Sequence, residues 1–170
     1  MIYQLVVPQF SKMLANLSTI LNESVEYAEA KKFDADVLLG SRLAPDQFNL
    51  IRQVQIACDT AKLCAARLAG KEHDAPSHAD TETNVPELRA RIESVLGYLR
   101  TFSVEDFAGA AERRITQPRW KGKTLSGEEF LIQHAIPNLY FHVTTAYAIC
   151  RHNGMGIGKK TYLGTLPYRE

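Results

Sequence analysis

Apolar residues recur at three- and four-residue spacing in four long stretches of the chain, which is the pattern of amphipathic helices. The first runs over about residues 6–21, and the second is predicted from Pro45 to Ala69 with Gly70 as its stop. The third follows an N-cap at Asn84 and continues to about Phe102. The fourth opens with the capping-box sequence at 126–129 and runs to about residue 153.

The segments between these helices are shorter and more polar. Residues 71–83 read as a loop, in which His73 and His78, like His152 at the end of the fourth helix, are expected to be in solvent. Residues 103–125 suggest a helical turn and a small hairpin that turns at 121–123. The sequence therefore predicts one all-α domain over 1–170. It is a four-helix bundle with a small hairpin excursion before the last helix and an extended C-terminal tail. The tail is expected to pack its apolar residues across the bundle or onto a second subunit, namely Ile157, Tyr162 and Leu163.

Composition narrows the partners and the compartment. The chain has 170 residues, of which 45% are hydrophobic, and its 20 basic and 19 acidic residues give a net charge of +1. A chain with so little net charge has no general attraction for nucleic acid, and no apolar run is long enough to cross a membrane. Its three cysteines form no CxxC pair, which favours reduced core thiols and a cytoplasmic location.

A basic run in the hairpin is the one local exception to this charge balance. It surrounds Trp120 and has the composition of a phosphate or base contact, and it consists of Arg113, Arg114, Arg119, Lys121 and Lys123. Because the rest of the chain adds no positive charge, we interpret it as a solvated hairpin.

The fourth helix carries the candidate chemistry. His134, Asn138 and His142 are spaced four and four, so they lie along one ridge of the helix. The two histidines are separated by roughly 12 Å along the axis, which is too far for both to bind one ion without distortion of the backbone. Pro137 removes one helical hydrogen bond between them, and we expect a kink there. His134 could join a site with His142 only if this kink brings it inward.

The last-helix segment HVTTAYAICRHNG (142–154) resembles the signature of the DinB/YfiT-like superfamily. In that signature a histidine is followed nine residues later by arginine and twelve residues later by glycine, and His142, Arg151 and Gly154 keep this spacing. Three further segments extend the resemblance over nearly the whole chain and to a branch without an assigned function: RQVQIACD (52–59), ARLAG (66–70) and IGKKTYLG (157–164).

This resemblance implies an antiparallel four-helix bundle that is often dimeric. It also implies a metal held by one histidine on the second helix and an HxxxH pair on the last. His142 matches the second histidine of that pair, whereas Asn138 stands at the first. Gln55 and Asp59 stand where the second-helix ligand is expected. Amide oxygens are weak ligands for zinc or nickel, so the sequence predicts a degenerate metal site, with His142, Asp59 and His134 as the candidate ligands of zinc, nickel or manganese.

Three functions remain open at this point. The first is binding of a small ligand in a polar pocket between the second and fourth helices, lined by Gln55, Asp59, Asn138, His142 and Arg151. The second is a metal-dependent thiol transferase or hydrolase, in which His142 is the candidate catalytic residue and the metal activates water or a thiol. The third is a non-catalytic homodimer whose surface is the functional part. Both residues also have a purely structural interpretation. His142 would then be a hydrogen-bonded histidine of the interior, and Asp59 would form an interhelical ion pair with Lys62, Arg151 or His142.

Overall fold

The structure is a computed structural model, and it describes residues 1–169. It confirms a mostly helical fold with one small hairpin. The elements are α1 (Ile2–Lys31), α2 (Leu50–Ala69), α3 (Val85–Leu99), β1 (Arg114–Ile115), β2 (Leu125–Ser126), α4 (Gly127–Phe130), α5 (Ile136–His152) and α6 (Lys159–Leu163). A π-helical turn, Leu131–Ala135, joins α4 to α5, and we call these three segments the α4–α5 rod.

The ends of the helices follow their capping residues. Helix α2 begins at Leu50, so the predicted start at Pro45 is wrong. The reason is Asn49, whose side-chain oxygen accepts a hydrogen bond from the backbone N–H of Arg52 at 3.2 Å and caps the helix there. Helix α3 ends at Leu99, three residues before the predicted end, and the next residues form a turn. The capping box at Ser126 is confirmed, with both reciprocal hydrogen bonds present.

The irregularity expected near Pro137 takes the form of the π-helical turn that immediately precedes α5. A π turn is a known way to absorb a missing hydrogen bond within a helix, and such turns are frequent at functional sites. It sets the direction of the His134 side chain, which lies inside the turn. The register of the last helix therefore changes between His134 and His142, which the four-residue spacing did not anticipate.

Helix α2 contacts α1, α3 and α5, and all four helices contribute side chains to the hydrophobic core. All three cysteines are buried and unpaired. Burial raises the pKa of Cys58 and of Cys150 to about 12, so neither thiol is a reactive thiolate at neutral pH. Among residues 1–169, no helix is long and apolar enough to span a membrane.

The hairpin and the tail both pack against these helices. Strand β1 pairs antiparallel with β2, and Lys121 and Gly122 take left-handed backbone conformations in the connection. The tail is not simply extended as predicted, since it contains α6. Tyr162 of α6 packs edge-on against Tyr147, and its backbone carbonyl accepts a hydrogen bond from Asn16 at 2.9 Å.

A single close backbone approach fixes the start of the α4–α5 rod. A Cβ atom at Gly127 would lie 1.8 Å from the carbonyl oxygen of Ala110. We therefore expect Gly127→Ala to destabilise the protein by about 1–3 kcal/mol or more, because one of the two backbones must move. Urea unfolding measures the loss, with Gly97→Ala as control because a Cβ there meets no atom within 4 Å. Equal stability of the Gly127 and Gly97 variants would contradict the assignment of this contact.

Candidate functional site

His142 is buried and hydrogen-bonded within the protein. Its Nδ1 donates to the side-chain oxygen of Gln53 at 2.7 Å, and the Gln53 amide donates in turn to the carbonyl of Phe48 at 3.0 Å. Burial, helped by the positive charge of Arg52, lowers the pKa of His142 to about 4. His142 is therefore a neutral imidazole at physiological pH, and Nδ1 is already committed to Gln53.

Gln55 and Asp59 face a buried arginine on α3. The guanidinium of Arg91 donates to Asp59 at 2.8 Å, and its side chain is 1% exposed. Asp59 also pairs with Lys62 at 2.8 Å, whereas the Gln55 amide donates to Glu82 at 2.9 Å. The interhelical ion pair expected at Asp59 is therefore present, but its partner is Arg91, which was not predicted. Of the predicted partners, Lys62 also pairs with Asp59, from the same helix, whereas Arg151 and His142 do not.

We call the group around this arginine the Arg91 network. It consists of Arg91, Asp59, Asp80, Glu82, Arg52 and Lys62, which are linked by salt bridges or hydrogen bonds to one another. The network ties the loop before α3 to α2. His78 of this loop is half-buried rather than in solvent as predicted, because it lies between Lys62 Nζ at 2.8 Å and Ser94 Oγ at 3.1 Å.

The remaining predicted residues separate into two places. Asn138 lies in the interface between α2 and α5, where its amide donates to Thr60 Oγ1 at 2.7 Å. Arg151 is exposed at the end of α5 and donates to the backbone carbonyl of Met155 at 2.6 Å. Of the five predicted pocket residues, Asp59 and Asn138 line one cleft. Gln55, His142 and Arg151 do not line it.

The candidate metal ligands do not form a donor set. His142 faces Gln53, Asp59 faces Arg91, and His134 lies in the π turn two helical turns away from His142. Within residues 1–169, no three side chains of His, Cys, Asp or Glu are placed to share a metal ion. A zinc or nickel site needs three or four converging ligands. The residues that are present therefore do not fit the metal that the family resemblance implies, and we derive no metal-dependent step.

His134 has the more open environment of the two histidines. Its ring stacks on Phe130, with the ring planes 18° apart, and meets the edge of Trp120 at a centroid distance of 5.4 Å. Arg119 donates to His134 Nε2 at 3.3 Å. Burial lowers the pKa of His134, and the positive charges of Arg119 and then Arg67 lower it further.

A cleft of about 290 Å³ lies between α2 and the α4–α5 rod, and the hairpin connection closes one end of it. Its wall combines basic, amide and apolar side chains. The lining residues are Phe48, Arg52, Ile56, Asp59, Thr60, Leu63, Arg67, Gln117, Arg119, Phe130, His134, Ala135 and Asn138. We call it the α2–α5 cleft.

Two buried polar atoms of this cleft have no hydrogen-bond partner among the described residues. They are the side-chain nitrogen of Gln117 and Nδ1 of His134. Gln117 is 7% exposed, so bulk water does not supply its partner freely. An unsatisfied buried donor costs about 1–3 kcal/mol. Neither atom is open to the cleft as the side chains stand, so a small side-chain movement would let a bound molecule or an ordered water satisfy it.

Sequence reasoning missed several residues of the cleft, although one signal for them was present. Arg52, Ile56, Thr60, Leu63 and Arg67 follow one another at spacings of four, four, three and four, so they share one face of α2. This face is half-buried and mixed in character, in contrast to the mainly apolar residues that α2 buries in the core. Gln117 and Arg119 carried no comparable signal, because the hairpin brings them to the cleft from a distant part of the chain.

Comparisons with known proteins agree with the fold and the family. The family model described as "Domain of unknown function (DUF1993)" matches residues 2–163. A crystal structure of a DinB family member protein from Shewanella denitrificans is 64% identical and has a TM-score of 0.96. The similarity covers 99% of this chain and 94% of that one. No curated protein matches the chain. The chain therefore belongs to the DUF1993 family of domains of unknown function, among the DinB-like proteins.

Proposed function

We propose that this protein binds a small molecule in the α2–α5 cleft. The observation that carries the proposal is the pair of unpartnered buried polar atoms, on Gln117 and His134, at the wall of a cleft of about 290 Å³. Natural ligand sites combine an apolar lining with a few polar groups that fix orientation, and volumes near 300 Å³ are at the small end of their range. The cleft therefore suits a small ligand with a single ring or a short chain.

The geometry favours binding over the metal-dependent alternative. Among residues 1–169 no donor set for a transition metal surrounds His142, whereas the cleft offers side-chain amides at Gln117 and Asn138 and a hydroxyl at Thr60. Asn138 was among the predicted pocket residues, and its proposed role is to orient the ligand together with Thr60. His142, held by Gln53, is proposed to support α2 at the cleft rather than to touch the ligand.

Several finer statements belong to the same proposal. The contacts that α2 makes with α1, α3 and α5 support an antiparallel four-helix bundle. The buried free cysteines support a reducing compartment such as the cytoplasm. The homodimer and the interaction module suggested by the family resemblance stay predictions.

Binding in the cleft can be tested with three probes of similar shape and different charge: benzoate, benzamide and benzylamine. We expect at least one of them to raise the melting temperature and to shift the side-chain amide resonance of Asn138 in ¹⁵N-labelled protein. Leu63→Trp places an indole in the cleft and should abolish both effects. Gln133→Trp is the matched control, because Gln133 is exposed on the α4–α5 rod and does not line the cleft. Binding that survives Leu63→Trp, or no binding by any probe, would contradict the proposal.

A further inference from the structure

The α2–α5 cleft is lined by an excess of positive charge. Arg52, Arg67 and Arg119 line it, against one carboxylate, that of Asp59. Asp59 is already neutralised, because Arg91 and Lys62 both lie 2.8 Å from its Oδ1. His134 adds no negative charge and is neutral at physiological pH, since its pKa is lowered. Arg52 is itself paired with Asp80 and Arg67 with Glu72. Among residues 1–169 the cleft therefore carries one uncompensated positive charge, that of Arg119.

Two of these arginines line the same cleft as His134. They are Arg67 and Arg119, and Arg119 donates to the His134 ring at 3.3 Å. Arg67 pairs with Glu72 through Nε at 2.9 Å, which leaves its terminal nitrogens without a hydrogen bond in the described part of the chain. Arg119 has no carboxylate partner among residues 1–169. Two guanidinium groups near one neutral ring repel each other, and an anion between them would remove that repulsion.

A buried donor belongs to another residue of the same wall. The side-chain nitrogen of Gln117 has no hydrogen-bond partner among residues 1–169, and the residue is only 7% exposed. It lies two residues before Arg119, at the N-cap of the short 3₁₀ turn formed by Pro118–Trp120. An N–H donor and two guanidinium groups are the combination that recognises an oxyanion.

Part of the cleft wall is apolar. Its side chains come from the segment before α2, from α2 itself and from α4, and they are Phe48, Ile56, Leu63 and Phe130. Arg52 lies over the Phe48 ring, with its guanidinium carbon 6.0 Å from the ring centroid, which orders that exposed ring at the mouth. A ligand that fills the cleft therefore needs an anionic end and an apolar body.

We propose that the α2–α5 cleft binds a small organic acid whose carboxylate is held between Arg67 and Arg119. This inference rests on the proposed function and narrows it to one chemical class of ligand. Arginine presents a planar fork of donors that matches a carboxylate, and the remaining volume of the cleft accommodates one aromatic ring or a short aliphatic chain. A free phosphate ion offers the same anionic chemistry but leaves the apolar wall uncovered, so we expect it to bind more weakly.

Isothermal titration of the full chain with three probes tests this inference. Benzoate carries the anion and the apolar body, benzamide keeps the shape without the charge, and inorganic phosphate carries the charge without the body. We expect wild-type protein to bind benzoate at least tenfold more tightly than benzamide or phosphate, because benzoate alone combines charge-assisted hydrogen bonds with an apolar body. The preference for benzoate should also weaken as salt concentration rises.

Variants of Arg119 identify where the anion binds. Arg119→Gln should weaken benzoate about tenfold or more and leave benzamide within about twofold, whereas Arg119→Lys should keep part of the preference. Arg119 is exposed, so these variants are expected to fold. Arg89→Gln is the matched control. Arg89 is exposed on α3 and does not line the cleft, and its replacement removes the same charge.

The outcomes separate this inference from the proposed function. Tighter binding of benzamide than of benzoate, lost in Leu63→Trp, would keep the cleft as a ligand site and overturn the anion assignment. Equal loss of benzoate binding in the Arg89 and Arg119 variants would also overturn it, because the effect would then be one of net charge. Binding of phosphate as tightly as benzoate would overturn the requirement for an apolar body. No binding of any probe would contradict both proposals.

Discussion

Replacement of Arg91 by leucine is expected to lower the free energy of unfolding by about 3–5 kcal/mol, the usual cost of removing one partner from a buried ion pair. The Arg91 side chain is 1% exposed and donates to Asp59, Asp80 and Glu82, so its loss leaves three carboxylates without their shared cation. For a domain of this size the melting temperature should fall by on the order of 10 °C. Urea unfolding at pH 7 measures the change directly.

Arg89→Leu supplies the control for this prediction. Arg89 lies on the same helix but is exposed, so its replacement should change the free energy of unfolding by less than about 0.5 kcal/mol. A loss of less than 1 kcal/mol in the Arg91 variant would contradict the role of the network in fixing the loop before α3 to α2.

The carboxylates of the Arg91 network also make the free energy of unfolding depend on pH in acid. Burial alone would raise the pKa of Asp80 and of Glu82, but hydrogen bonds more than offset this, so both pKa values lie below their usual range. These bonds come chiefly from Arg91 and Arg52 to Asp80, and from a backbone N–H and Arg91 to Glu82. A lowered carboxylate pKa stabilises the folded state above the unfolded pKa of about 4, and this stability is lost as pH falls through the lower folded value. The network is therefore fully formed at neutral pH and weakens only below about pH 4.

The second large effect is an earlier loss of stability in mild acid, caused by His142. Its folded pKa of about 4 lies below the unfolded value of 6.5, so the unfolded chain takes up the proton first as pH falls. Stability is therefore highest above pH 6.5 and declines between pH 6.5 and about 4. The full difference corresponds to about 3 kcal/mol.

His142→Gln removes this titration while its amide retains hydrogen-bonding capacity toward Gln53. Denaturant unfolding at pH 7, 6, 5 and 4.5 should show a decline in stability for wild type that is largely absent in the variant. His152→Gln is the matched control. His152 is exposed at the end of α5, so its replacement should leave the decline unchanged. A decline that persists in His142→Gln would show that another group carries it, with His134 and His78 as the next candidates, since their pKa values are also lowered.

The long helices could be predicted from the sequence because their apolar spacing is regular. Capping residues then set the ends, and the one misplaced start came from taking Pro45 as the first turn when Asn49 supplies the cap. Residues 45–49 lie outside the helix, and one of them, Phe48, reaches the mouth of the cleft. Helix α6 was missed because its five residues are too few to show a helical period.

The site was harder to predict because its contacts join distant parts of the chain. The partner of His142 is Gln53, 89 residues earlier, and the partner of Asp59 is Arg91, 32 residues later. Neither pair follows from helical spacing. The hairpin was interpreted as a solvated basic segment, yet Arg119 contacts His134 and lines the cleft. Packing of the hairpin against the rod, rather than its composition, decides what its charges face.

The most direct test of the ligand-binding account is a crystal structure of the protein soaked with 4-bromobenzoate, because bromine can be located by its anomalous scattering. We expect one bromine peak in the α2–α5 cleft, against Phe48, Ile56 and Leu63, with the carboxylate between Arg67 and Arg119. A bromine peak elsewhere, with the cleft filled only by water at saturating probe, would contradict it.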